Sequence, residues 1–268
     1  MQLVDIGANL THSSFREDRD AVVARARAAG VETVIVTGTT VEESRQASAL
    51  GFPFTAGVHP HHARDCGERT IPELKQISEH PNCVAIGECG LDFNRNYSSH
   101  PDQEKWFVAQ LELALEIGKP LFLHSRDAHP RFAEILRHHG VKKAVAHCFT
   151  GEIDELHAYV DLGLYIGITG WICDERRGRH LLDLVREIPR DRLLLETDAP
   201  YLTPRDLRPQ PKARRNEPAL LPHILRTVAR ALGRAPEEVA AETTRNARRL
   251  FSLHESGTSA ATQRPLAA

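Results

Sequence analysis

The chain has 268 residues, 41% hydrophobic and 26% charged, which is enough apolar material for a sizeable core in an ordinary soluble globular protein. Its 34 Lys and Arg against 36 Asp and Glu give a formal net charge of −2, so no global field draws polyanions, and any nucleic-acid affinity must come from local basic patches. No run reaches the roughly 18 apolar residues of a membrane span, Met1-Gln2-Leu3-Val4-Asp5 does not open a signal peptide, and the five cysteines lack C-x-x-C or zinc-finger spacing, so the reading is a cytoplasmic protein with reduced thiols.

Residues 3–6 are a short apolar run that closes on Asp5-Ile6-Gly7-Ala8-Asn9. Ser14 and Glu17 have capping-box spacing, and Val22, Val23, Ala26 and Ala29 continue at helical spacing to Gly30. The β-branched run 31–37 is a second strand, Thr40 with Glu43 caps the next helix, and a third strand at 54–58 ends on His59-Pro60-His61. Thr70 with Glu73, and Pro72 in the first turn, start a third helix. The fourth strand, 83–87, stops at Glu88, after which Asp92, Asn94, Arg95 and Asn96 read as a polar loop before a helix over about 101–117.

Strands at 121–123, 144–146, 164–168 and 193–195 follow, ending at His124, His147, Thr169-Gly170-Trp171 and Asp198. Pro200, Pro204, Pro209, Pro211 and Pro218, interleaved with Arg205, Arg208, Lys212, Arg214 and Arg215, forbid a helix and predict a long loop. Helices resume at 217–232 and 236–251, and the tail at 254–268 reads as disordered. Eight strands alternating with helices over about 250 residues are the signature of one α/β domain, a (β/α)8 TIM barrel over 1–253. A doubly wound sheet shares the alternation but has fewer strands and a Gly-rich phosphate turn, which Gly7 alone does not make.

In such a barrel all C-terminal strand ends meet at one rim, where active sites of this architecture sit. Glu88, His124, His147 and Asp198 therefore share one destination, and two imidazoles with two carboxylates suit a divalent ion such as Mn²⁺, Zn²⁺ or Fe²⁺. An ion there acidifies a bound water, and Asp198 is placed to take its proton. One histidine at a strand end is ordinarily a hydrogen-bonding residue; the case rests on the four together. His59 and His61, on one side of an extended chain, read equally well as groups that bond a phosphate or assist a metal ligand and as loop capping around Pro60. Arg126 and the other rim arginines suit phosphate, and Phe93, Tyr97, Trp171 and Tyr201 suit base stacking, with solvated surface and loop anchoring as the plain alternatives.

Gly57-Val58-His59-Pro60-His61, Gly87-Glu88-Cys89-Gly90-Leu91-Asp92-Phe93-Asn94, His124-Ser125-Arg126-Asp127-Ala128, His147-Cys148-Phe149-Thr150-Gly151 and Glu196-Thr197-Asp198-Ala199-Pro200-Tyr201-Leu202 occur in this order. With these motifs the chain resembles the TatD family of metal-dependent deoxyribonucleases from Asp5 to about Phe251. The resemblance implies a barrel of the amidohydrolase-like metal-dependent hydrolase type. It also implies an Mg²⁺-dependent 3′-5′ exonuclease acting on single-stranded DNA and RNA, with a part in repair of oxidised DNA or DNA turnover; a monomer is the expectation for the chain. By the same resemblance Glu88, His124 and His147 are metal ligands, Asp198 is ligand or base, and His59 and Arg126 face the scissile phosphate. The chain departs from the wider family at Gly7-Ala8-Asn9, where most members carry His-x-His, which argues against a second tightly held ion. Two other functions use the same frame: a metal-dependent D-aminoacyl-tRNA deacylase, and a non-catalytic nucleic-acid-binding barrel.

Overall fold

The computed structural model describes residues 2–211 and 214–253, so Lys212 of the basic loop and the tail expected to fray lie outside the described residues. Eight strands pair in parallel and in chain order: β1 (Leu3–Ala8), β2 (Val31–Val36), β3 (Phe54–Ala56), β4 (Cys83–Asp92), β5 (Leu121–Arg126), β6 (Ala144–Ala146), β7 (Tyr165–Ile168) and β8 (Leu193–Leu195). A bridge between Ala8 and Ala199, with a 2.8 Å bond from Asp198 N–H to the Gly7 carbonyl, brings the last strand back to the first and closes the barrel. Around it lie α1 (Arg19–Ala28), α2 (Val41–Ser48), α3 (Thr70–Ser78), α4 (His100–Ile117), α5 (His129–His138), α6 (Ile153–Asp161), α7 (Leu181–Leu184), α8 (Leu221–Leu232) and α9 (Pro236–Phe251). None of the described helices is long and apolar enough to cross a membrane.

The barrel is filled rather than hollow. Val4, Ile6, Ile35, Ala85, Phe122, Val145, Tyr165 and Leu194 meet inside it, as expected of small parallel barrels whose interior is layered side chains. Ala247, Leu250 and Phe251 of α9 join the same cluster, and Thr244 and Asn246 bond the carbonyls of Gln2 and Leu193 at the starts of β1 and β8. α9 therefore plugs the N-terminal mouth, and ionisable residues at the strand ends collect at the other. Outside the strands, Phe107 of α4 stacks on Phe132 of α5 at 5.4 Å, and both are fully buried.

Local signals hold in some places and fail in others. Thr40 caps α2 as its spacing requires, its hydroxyl accepting from Glu43 N–H at 3.1 Å. Ser14 caps nothing: 13–15 form a 3-10 turn whose first donor is taken by His12 Nδ1, and α1 starts only at Arg19. Thr70 sits inside the first turn of α3 and accepts from Gly67 N–H instead of capping. A hydroxyl two or three residues from a carboxylate fits several turns equally, so the box pattern marks hydrogen-bonding capacity more firmly than a helix start.

The largest correction is at β4 and β5. Both run past the expected ends, with Gly90 opposite His124, Leu91 opposite Ser125 and Asp92 opposite Arg126, so the polar loop expected after Glu88 is strand as far as Asp92. Gly87 and Gly90, at φ of 135° and 145°, make this possible, because a Cβ on either would run into the carbonyls of Phe122 and His124. The two glycines let β4 lie close against β5, and that approach sets Glu88 and Asp92 beside His124.

Candidate metal centre

Glu88, on β4, is the centre of the rim. Its Oε1 is met by three ring nitrogens: His147 Nε2 at 2.8 Å, His124 Nδ1 at 3.0 Å and His59 Nε2 at 3.3 Å. The histidines come from β5 and from the ends of β3 and β6, so four elements deliver these side chains to one point. His59, Glu88 and His124 each offer a ligand atom within 4.8 Å of the others. His124 Nε2 is buried and makes no hydrogen bond, with Asp92 Oδ2 3.5 Å away. Buried imidazoles grouped around a carboxylate, one nitrogen of them unsatisfied, fit a divalent cation of the borderline kind.

The charges are strongly coupled. Burial pushes the Glu88 carboxyl up, but the imidazoles of His147, His59 and His124 overcome it and hold the group well below its ordinary value. Burial works against a charged His147, and Glu88 and Glu196 reverse this, raising it well above the usual histidine value. His124 is raised in the same way, by Asp92 and Glu88 against burial. His59 goes the other way: burial lowers it to about 4, helped by His124 and opposed by Glu88. Asp198 is raised to about 7, first by burial and then by the nearby carboxylates of Glu88 and Glu196, against the pull of His147.

Four supporting groups escaped the sequence reading. Glu196, fully buried on the far side of His147, accepts from His147 Nδ1 at 3.2 Å and from Cys148 N–H at 2.5 Å, which fixes the ring so that Nε2 faces Glu88. Asp92, almost fully buried, bonds His61 Nε2 at 2.7 Å and accepts backbone N–H from Asn94 and Arg95. Asn9 donates Nδ2 to Asp198 Oδ1 at 3.2 Å. Asp5 accepts from the backbone and hydroxyl of Thr197, tying β1 to the segment that carries Asp198, although burial raises it to about 8. Asp92 and Glu196 were visible as parts of the motifs around Glu88 and Asp198, but only the β4–β5 and β8–β6 proximities reveal what they touch.

Among proposed substrate contacts, His59 turns inward to Glu88, and His61 is committed to Asp92 with its ring against Tyr97. The Arg126 guanidinium, half-buried at the end of β5, has no hydrogen bond or ion pair among the described residues. Phe93 stacks face to face on His100 at 3.7 Å, so one of its faces is taken. Tyr201 is 51% exposed and meets the edge of His12, and the charge of Asp198 acts on its phenol. Trp171 lines a rim cavity of 220 Å³ with Arg176, Arg177 and Arg205.

Residues 4–252 match the family model described as TatD related DNase. The chain belongs to the TatD family. Relatives named 3′-5′ ssDNA/RNA exonuclease TatD include one from Erwinia tasmaniensis, 54% identical over 94% of this chain and 100% of its own length. Another, from Klebsiella pneumoniae, is 52% identical over 95% of this chain and 100% of its own. Among solved structures, the TatD homologue YJJV of Escherichia coli superposes with a TM-score of 0.86 at 28% identity, covering 94% of this chain and 98% of that one. A TatD family hydrolase from Entamoeba histolytica gives 0.85 at 25%, with the same coverage.

TatD membership implies a divalent metal, and the cluster around Glu88 suits one. The departure at the end of β1 has a structural counterpart. A Cβ on Gly7 would stand 2.7 Å from Glu196 Oε2 and 2.9 Å from the Phe122 ring, so the space beside β1 is already filled by the group that orients His147. Asn9, where a second imidazole would stand, serves Asp198 instead.

Proposed function

We propose that this chain is a 3′-5′ exonuclease that hydrolyses terminal phosphodiester bonds of single-stranded DNA and RNA at the Glu88 centre. The observation that carries the reading is the gathering of His59, His124 and His147 on one oxygen of Glu88, in a chain 54% identical to a relative named for that activity. Glu88, His124 and His59, whose ligand atoms lie within 4.8 Å of one another, are the residues that would hold the ion, with His147 on the same Glu88 oxygen and Asp198 as a further ligand or the base. When bound, a divalent ion supplies Lewis-acid polarisation of the phosphoryl group and an acidified water. The imidazole content favours Mn²⁺ or Zn²⁺ over the Mg²⁺ of the family resemblance.

The chain's own residues supply the rest. Asp198, with a proton affinity close to neutral, accepts the proton of the attacking water, and Asn9 fixes its orientation. Arg126, unengaged at the rim, pairs with the phosphate and offsets its charge. Tyr201 and Trp171 stack the terminal bases, while Phe93 is better suited to bracing the loop through His100. The five free thiols suit a reducing compartment, consistent with work in the cytoplasm.

Purified protein with Mn²⁺ is expected to release mononucleotides from the 3′ end of a single-stranded oligonucleotide, and Glu88→Gln and His124→Ala to abolish release. D-aminoacyl-tRNA in a parallel reaction is expected to stay intact. Wild type that cleaves the aminoacyl ester and leaves the oligonucleotide untouched, or variants as active as wild type, would overturn the reading.

A further inference from the structure

A second group of metal-ligating side chains lies away from the Glu88 centre, where nothing in the hydrolytic reaction uses it. Cys173 ends the 3-10 turn after β7, Asp206 belongs to the proline-rich loop, and His223 stands in the first turn of α8. Each offers one ligand atom, and the three atoms lie within 4.8 Å of one another. His223 Nε2 and Asp206 Oδ1 are 2.7 Å apart. Cys173 is 4% exposed, and its thiol makes a weak contact of 3.5 Å to the Thr227 hydroxyl. We propose that Cys173, Asp206 and His223 form a zinc site, separate from the hydrolytic centre, that clamps the proline-rich loop to α8.

The donor set is the argument for the metal. A thiolate with an imidazole and a carboxylate is the soft-to-borderline mixture that Zn²⁺ prefers and that Mg²⁺ and Ca²⁺ do not. Three protein ligands leave a fourth tetrahedral position, and Cys173 and Asp206 both line a cavity of 370 Å³ with room for a water there. Without an ion, burial first and then the Asp206 carboxylate push the thiol up to about 12, against the Thr227 hydroxyl and Arg230, so it is the cation that would favour the thiolate. Binding therefore breaks the Cys173 S–H bond, forms a sulfur–zinc bond and releases one proton to solvent. His223 binds as the neutral ring, its proton moving to Nδ1 as Nε2 turns from Asp206 to the ion.

The clamp has a mechanical consequence. The described residues between Asp198 and Glu217 contain no helix or strand, and next to Asp206 stands Arg205, which faces Asp174 at 3.6 Å and lines the rim cavity beside Trp171. Fixing Asp206 to α8 and to the 3-10 turn fixes that wall of the rim.

Cobalt(II) titration of the full chain, purified metal-free under reducing conditions, tests this without reference to nuclease activity. The expected result is a thiolate-to-cobalt charge-transfer band in the near ultraviolet, saturating by two equivalents, one for each of the two centres, with an intensity corresponding to one bound thiolate. The band is lost in Cys173→Ser, lost in His223→Ala at cobalt concentrations that saturate wild type, and retained in Cys148→Ser, whose thiol lies by the hydrolytic centre. His223→Ala keeps the test decisive should the buried serine variant misfold. Wild type without the band, or a band that survives either Cys173→Ser or His223→Ala, would overturn the proposal.

Discussion

Glu88 owes its depressed proton affinity to three imidazoles, and two of these are oriented through their other ring nitrogen, His147 by Glu196 and His59 by the His61 N–H. Glu196 does this for His147, so Glu196→Gln, which keeps the shape and removes the charge, is expected to lower metal affinity or turnover about 10- to 100-fold with the barrel intact. Isothermal titration of Mn²⁺ checks it, and an unchanged affinity would show that His147 needs no such support. Arg126→Ala is expected to weaken oligonucleotide binding and slow turnover while Mn²⁺ affinity stays at the wild-type value, because the guanidinium holds none of the centre together. Asp198 makes the centre sensitive to pH. Its folded value of about 7 lies above the ordinary 3.8, so the metal-free folded chain keeps a proton that the unfolded chain has lost between these values, and stability falls as pH rises across that window. Ion binding needs the carboxylate, so affinity moves the opposite way: it is expected to fall about tenfold or more from pH 8 to pH 6, with His147, held protonated by Glu88 and Glu196, adding to the loss. Affinity that does not change between those two pH values would contradict the assignment of Asp198. At this scale the sequence was informative about residue type and strand position, and silent on direction. It left His59 and His61 open between contacting phosphate, assisting a ligand and capping the loop; His59 turns to Glu88 while its Nδ1 accepts from His61 N–H, and the His61 ring turns to Asp92.

At the level of elements, β4 and β5 decide the site. Their extension past Glu88 and His124 depends on the missing Cβ atoms of Gly87 and Gly90. Gly90→Ala adds a methyl against the His124 carbonyl at a backbone angle that L-residues avoid, and is expected to cost about 3 kcal/mol or more and to lower the thermal midpoint. A melting curve like that of wild type would mean that the strands separate easily there. Short apolar runs located six of the strands to within about two residues, since a strand buried on both faces has no other composition open to it. They missed the strand through Glu88-Cys89-Gly90-Leu91-Asp92 because alternating charge and glycine read as loop until the neighbouring strand supplies its partner. The capping boxes failed at Ser14 and Thr70 for the same reason: the competing acceptor or donor, His12 in one case and Gly67 in the other, is chosen by the turn rather than by the spacing.

Across the whole molecule, the plugged N-terminal mouth and the ionisable C-terminal mouth divide stability from chemistry. The net charge of −2 offers no long-range attraction for a polyanion, so binding of a single strand depends on the arginines grouped at the rim. Oligonucleotide affinity is therefore expected to fall with salt, by a slope of about 0.7 in log–log terms for each phosphate contacted, and Arg126→Ala to reduce that slope by about one contact. The barrel was legible from eight repeated strand ends, and its closure through Ala8 and Ala199 was not, because one bridge leaves no mark on composition. Everything proposed for the reaction depends on side chains from separate strands sharing one cation. Anomalous diffraction from crystals soaked in Mn²⁺ tests this most directly. The expected peak lies within coordinating distance of Glu88 and of at least two of His59, His124, His147 and Asp198; a peak that touches none of them, with the protein active in the same buffer, would contradict the account.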